Sequence, residues 1–150
     1  MYTKQQASVL KKQFWTRFGQ YLRPIPGADG ELVNWLNYKT GKRHLYFRMD
    51  AGAKEARIGI EFRHPTPEER HHYFEQWKSL SKVFGEAAGT SWSWEQDTFD
   101  EDGNTISRIS ESVNGISVYN ENDWPAIISF LKPRMLGLDR FWTMMKDGLD

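Results

Sequence analysis

The chain has 150 residues, a length that suits one domain burying roughly 70% of its unfolded surface, and its 39% hydrophobic and 15% aromatic content with seven tryptophans excludes a disordered chain. Twenty basic and twenty acidic residues cancel, which excludes global steering toward nucleic acid or an anionic membrane and leaves only a local patch to do so. The absence of cysteine excludes disulfides, thiolate metal sites and a cysteine nucleophile, and no apolar run approaches the roughly 18 residues of a membrane span, so a cytoplasmic protein is expected.

Residues 3 to 22 predict a helix. Ala7, Leu10, Phe14, Phe18 and Tyr21 recur at helical spacing, and Thr3 with Gln6 forms a capping box. "RPIPGADG" then reads as a loop. From Glu31 the period becomes two. "ELVNWLNY" and "HLYFRMD" flank a turn at Gly41, which predicts a hairpin over residues 31 to 50. A third strand follows in "ARIGIEF", with Ala56, Ile58, Ile60 and Phe62 on an apolar face and Arg57, Gly59, Glu61 and Arg63 on a polar one.

Thr66, Pro67 and Glu69 start the next helix as N-cap, first helical residue and capping partner. Its stripe of Tyr73, Phe74, Trp77, Leu80 and Phe84 ends near Gly85 or Gly89. "SWSWEQDTF" and "TISRISESV" flank a tight turn at Asp102-Gly103, and "GISVY" is expected to add a short strand. A last helical region runs from about Asn120 to Lys146, with Pro133 and Gly137 expected to break or kink it. The expected fold is therefore α+β: an antiparallel or mixed sheet of five to six strands with three helices, in the order α-βββ-α-ββ(β)-α, as one domain over residues 1–150.

Chemistry is sparse. His71 and His72 are neighbours that diverge on a helix, and His64 precedes a proline, so the three lack zinc-ligand spacing. Asp50 and Glu61 on adjacent strands resemble a degenerate two-carboxylate nuclease site, but an arginine, Arg63, stands where a lysine would assist water. The plainer reading makes Arg48, Asp50, Arg57, Glu61 and Arg63 cross-strand pairs on the wet face of the sheet. No GxSxG, GxxxxGK[ST] or GxGxxG pattern occurs, and no cofactor is expected. His44, Tyr46, Arg48, Arg57, Glu61 and Arg63 could share one face as a candidate nucleic-acid or ligand surface, with a base on the tyrosine and phosphates on the cations. The surplus of aromatics suggests a second surface, a self or partner interface on Trp15, Trp124 and Trp142. Arg108 is expected to stack on Trp94 or pair with a carboxylate such as Glu95.

"FWTRFGQYL", "LYFRMD", "IGIE", "WSWE", the "ISRI" of residues 106 to 109, "DWPAIISFLKPR" and "LDRFW" together resemble a bacterial family, domain of unknown function 4268 (DUF4268), over about Gln13 to Trp142. The resemblance implies an accessory role near DNA processing, because members occur alone or behind a nuclease-like segment. It lends no catalytic residue. Its structural marks are Phe14, Trp15, Trp94, Arg108, Asp123, Trp124 and Phe141. The chain is thus expected to be a non-enzymatic binding domain, homodimeric or docked on a protein partner. Nucleic-acid binding is the alternative and a degenerate nuclease the third reading, and no membrane is expected to be involved.

Overall fold

The computed structural model describes residues 3–149. Helix α1 (Lys4–Leu22) starts on the capping box of Thr3 and Gln6 and buries Phe14, Phe18 and Leu22. Strands β1 (Leu45–Ala51) and β2 (Glu55–Phe62) form the first hairpin. Helices α2 (Pro67–Ser79) and α3 (Ser81–Ala88) follow, then the hairpin of β3 (Ser93–Phe99) and β4 (Thr105–Asn114), and finally α4 (Trp124–Met145). The sheet has four antiparallel strands in the order β1-β2-β4-β3. The architecture is α+β, with fewer strands and more helices than the sequence reading expects.

Each difference has a local cause. Residues 31 to 38 form no strand, because the Asn34 side chain accepts from the Asn37 amide and winds Trp35–Asn37 into a 3-10 turn. The Trp35 indole donates to the Ile25 carbonyl, which fixes this turn against the preceding loop. "GISVY" likewise forms no strand: Gly115 and Val118 donate to the Lys54 and Gly52 carbonyls, and Ser117 is held by Asp123. The predicted second helix is two helices, divided at Leu80. Pro133 sits inside α4 without ending it. Buried Phe130, Leu131, Met135 and Leu138 on both sides of the proline hold the helix against the core, so the missing amide does not terminate it.

Helices α2, α3 and α4 cover one face of the sheet, and α1 lies against α4 through Phe14 and Trp124, whose rings are 5.6 Å apart. The core between is aromatic. Trp77 stacks on Trp142 at 5.7 Å and meets Phe62 and Phe47 edge-on. Gly137 lets α3 approach α4: a Cβ there would stand 2.7 Å from the Ala87 carbonyl oxygen and 2.9 Å from the Ala88 Cα. Gly137→Ala is therefore expected to cost about 1–2 kcal/mol, overpacking outweighing the better helix propensity, and to lower the urea midpoint without changing the slope.

Candidate functional site

The face of the sheet opposite these helices carries the polar half of the strand alternation. Register sets Tyr46 beside Glu61, Arg48 beside Gly59 and Asp50 beside Arg57, and then Glu61 beside Arg108 on the next strand. Glu61 is the hub. Its Oε1 accepts from Arg48 Nε at 2.8 Å and Arg63 Nε at 2.9 Å, while an Arg108 terminal nitrogen lies 3.8 Å from Oε2. Arg63 reaches onward to Asp100 at 2.7 Å, in the turn after β3. That bond, more than those from Asn104 and Asp102, holds the Asp100 carboxyl well below the usual carboxylate range.

The cross-strand pairing follows the sequence reading, but the centre of the face is not wet. Glu61 is only 8% exposed and Arg108 is equally buried, its stem passing beside Gly59, where an added Cβ would lie 3.8 Å from the Arg108 Cγ. Arg108 pairs with a carboxylate as expected, but the carboxylate is Glu61 and not Glu95, and the arginine does not stack on Trp94. Trp94 belongs to the helix side, where it packs on Phe74 and Phe84.

Tyr46 and Arg48 remain outermost. Tyr46 is 41% exposed, and the Arg48 guanidinium lies over its ring at 5.0 Å from the centroid. Arg57 stands farther along β2 with Glu55 at 3.9 Å. His44 leaves the group: its φ of 68° breaks the strand geometry, and its ring lies 5.5 Å from that of His64, on the helix side. Asp50 does not join Glu61, since their register partners place them four residues apart along the strand, roughly 13 Å. It stands 3.8 Å from Lys11 instead.

The histidines also disperse. His71 shares Asp97 with Arg70, His72 meets Tyr73 edge-on, and His64 stacks on Tyr73 at 4.5 Å. No group of three or more His, Asp or Glu side chains suited to a metal occurs among the described residues. Burial first, then the neighbouring His44 and Arg70, depress the His64 pKa against the opposing pull of Glu69. The folded pKa thus lies below the unfolded one, so as pH falls the unfolded chain takes the proton first. Stability should fall from about pH 6.5 toward pH 5 and be flat above it, and His64→Phe should flatten this limb in a series of urea midpoints.

The family model described as Domain of unknown function (DUF4268) matches residues 10–146. The chain belongs to this family. No curated protein and no solved structure matches it.

The residues that the resemblance singled out serve the fold. Phe14, Trp124 and Phe141 are buried, Trp94 and Trp15 pack against the core from partly exposed positions, and Asp123 accepts from the Ser117 amide. Two of the three tryptophans expected at an interface are core residues. Trp124 donates to the Val118 carbonyl and Trp142 to the Thr40 carbonyl, so only Trp15 retains exposed surface. The sequence reading overlooked Asp100, whose Asp-Glu-Asp-Gly-Asn turn was the available signal, and Asp139, described below. No helix among the described residues is long and apolar enough to cross a membrane.

Proposed function

We propose that this DUF4268 domain is a non-catalytic binding module that takes single-stranded nucleic acid on the helix-free face of its sheet. The observation that carries the reading is the exposed Tyr46 ring with the Arg48 guanidinium held over it. A base stacks on such a ring regardless of sequence, and phosphates meet the adjacent cations. Arg48 spends its Nε on Glu61, while its side chain stays 55% exposed, so its terminal groups face solvent already oriented. Glu61 and Asp100 neutralise the inner guanidiniums, which confines the attraction to the rim and suits a weak, salt-sensitive binder. The aromatic surplus that favoured self-association is largely consumed by the core.

Fluorescence anisotropy with labelled single-stranded oligonucleotides tests this. Affinity should fall steeply with salt, and Tyr46→Ala should weaken it roughly 5- to 100-fold, the range of one lost stacking contact. Arg48→Glu should abolish it. If no oligonucleotide binds while light scattering shows a concentration-dependent dimer, the reading is wrong and self-association takes its place.

A further inference from the structure

The two helices that meet through Phe14 and Trp124 carry charge of one sign. Together α1 and α4 hold seven of the chain's twenty cations, while their one acid, Asp139, is buried and bonded to Tyr38 and Ala28. The rest of the chain therefore sets thirteen cations against nineteen acids. A neutral protein with its charge segregated in this way presents an attractive surface to a polyanion, which the total alone conceals.

Phe14, Phe18 and Leu22 turn inward, so helical spacing sets Gln5, Val9, Lys12, Thr16, Gln20 and Arg23 in a row on the opposite side, and all six are exposed. Arg17 and Lys132 stand in the seam with α4. The Arg17 guanidinium lies 5.3 Å from the centre of a Trp124 ring, and Lys132 Nζ lies 4.7 Å from that of Tyr21 and donates to its hydroxyl at 3.0 Å. Aromatic support of that kind holds two long side chains in place and reduces the entropy lost on docking. The strand arginines Arg48, Arg57 and Arg108 each have a carboxylate partner. Lys12, Arg17, Arg23 and Lys132 are in no ion pair among the described residues, and on α1 only Lys11 is taken, by Asp50 at 3.8 Å. Glu121 borders the first turn of α1, so the row is most basic toward its far end.

The residue types choose the polyanion. A helix that lies on a membrane turns Trp, Phe or Leu outward, and a protein interface needs an apolar centre, whereas this row has one valine. A single strand needs rings to stack on. The row has none, and Tyr21 beside it already carries Lys132. Lysine, arginine and glutamine amides with no acid among them are what a phosphate backbone meets. Lys12 and Arg23 stand about 16 Å apart along the helix axis, enough to reach the phosphate rows on both sides of a major groove about 12 Å wide. We propose that the outward face of α1, together with Arg17 and Lys132, docks on the backbone of double-stranded DNA without reading its sequence. This face is distinct from the Tyr46 surface of the sheet, and the two readings rest on different residues.

Fluorescence anisotropy of the whole chain with a labelled blunt DNA duplex of about 20 base pairs, two helical turns, tests it. Binding should saturate at about 50 mM salt, with a log–log salt slope of about −3 to −4, as four phosphate contacts require. Lys12→Glu combined with Arg23→Glu should weaken it at least tenfold, and Lys12→Gln combined with Arg23→Gln should reduce the slope by about 2. Lys12→Arg should leave it unchanged. Should the charge reversals cost helix by circular dichroism, Lys132→Glu, which should weaken binding several-fold, carries the test. No duplex binding at that salt, or binding indifferent to all these variants, overturns the proposal. A concentration-dependent dimer in light scattering in place of duplex binding assigns the face to the acidic surface of a second copy, and capture on phosphatidylserine vesicles in place of it assigns a membrane; either overturns the proposal. Arg48→Glu should leave the duplex bound, and the α1 reversals should leave a single strand bound on the sheet, so the two readings fail separately.

Discussion

Glu61→Ala is expected to lower the unfolding free energy by about 3 kcal/mol, with a melting temperature roughly 6–12 °C lower for a domain of this size. The cause is what the missing carboxylate leaves behind. Arg108 is buried and Arg63 largely so, and each would keep its charge with Glu61 gone. Arg48, the most exposed partner, can return to water, which places the figure at the low end of the range for breaking a buried ion pair. Glu61→Gln keeps an acceptor for the Nε groups and should fall between the two. Urea melts read the effect, with the slope unchanged. A double-mutant cycle with Arg108→Ala should show the pair costing less together than the sum of the single variants, and strict additivity would mean that the two side chains do not interact.

The same residues show how far sequence reading reaches. Tyr46, Arg48, Glu61 and Arg63 were legible as one face because period-two alternation fixes which side chains share a side once two strands pair. Asp100 was not, since its bond to Arg63 passes across β4 and depends on the strand order β2-β4-β3, which no local pattern encodes. Helix starts at Thr3 and Thr66 were legible because capping is a contact between residues three apart. The strand expected over residues 31 to 38 was not avoidable by period alone: its alternation is real, but Asn34 and Asn37 satisfy the backbone locally and no neighbouring strand competes for it. Trp142, next to Phe141, was expected at an interface. Both are buried, because α4 is enclosed by the sheet and α2 on one side and by α3 and the loop at Thr40 on another. Enclosure on several sides is a property of the assembled layers, so a surface tryptophan and a core one look alike in the string.

Asp139→Ala is the second large effect, about 3 kcal/mol or more, and it should be local in character. Asp139 is a buried carboxylate in the middle of α4, and it holds the long segment between α1 and β1 at two points. Oδ1 accepts from the Tyr38 hydroxyl at 2.5 Å and Oδ2 from the Ala28 amide at 2.7 Å. Burial, and then this carboxylate, push the Tyr38 phenol far above its ordinary pKa, so the hydroxyl keeps its proton and remains a donor. Removing the carboxylate takes the charged acceptor from both donors, and each hydrogen bond to a charged group is worth about 1.5–3 kcal/mol. The segment carries no sheet pairing beyond the single bridge of Pro26 with Leu32, and its other holds are side-chain contacts: buried Trp35, the Tyr38 ring on Phe47, and the Trp142 indole on the Thr40 carbonyl. Amide exchange around Ala28 and Trp35 should therefore accelerate more than exchange in β2 and β4, and Trp35 emission should shift to the red before global unfolding. If exchange instead rises uniformly across the sheet, the segment is part of the main cooperative unit and Asp139 stabilises the whole domain rather than one strap. The site lies on the opposite face of the sheet from Glu61 and shares no partner with it, so the costs of Asp139→Ala and Glu61→Ala should add.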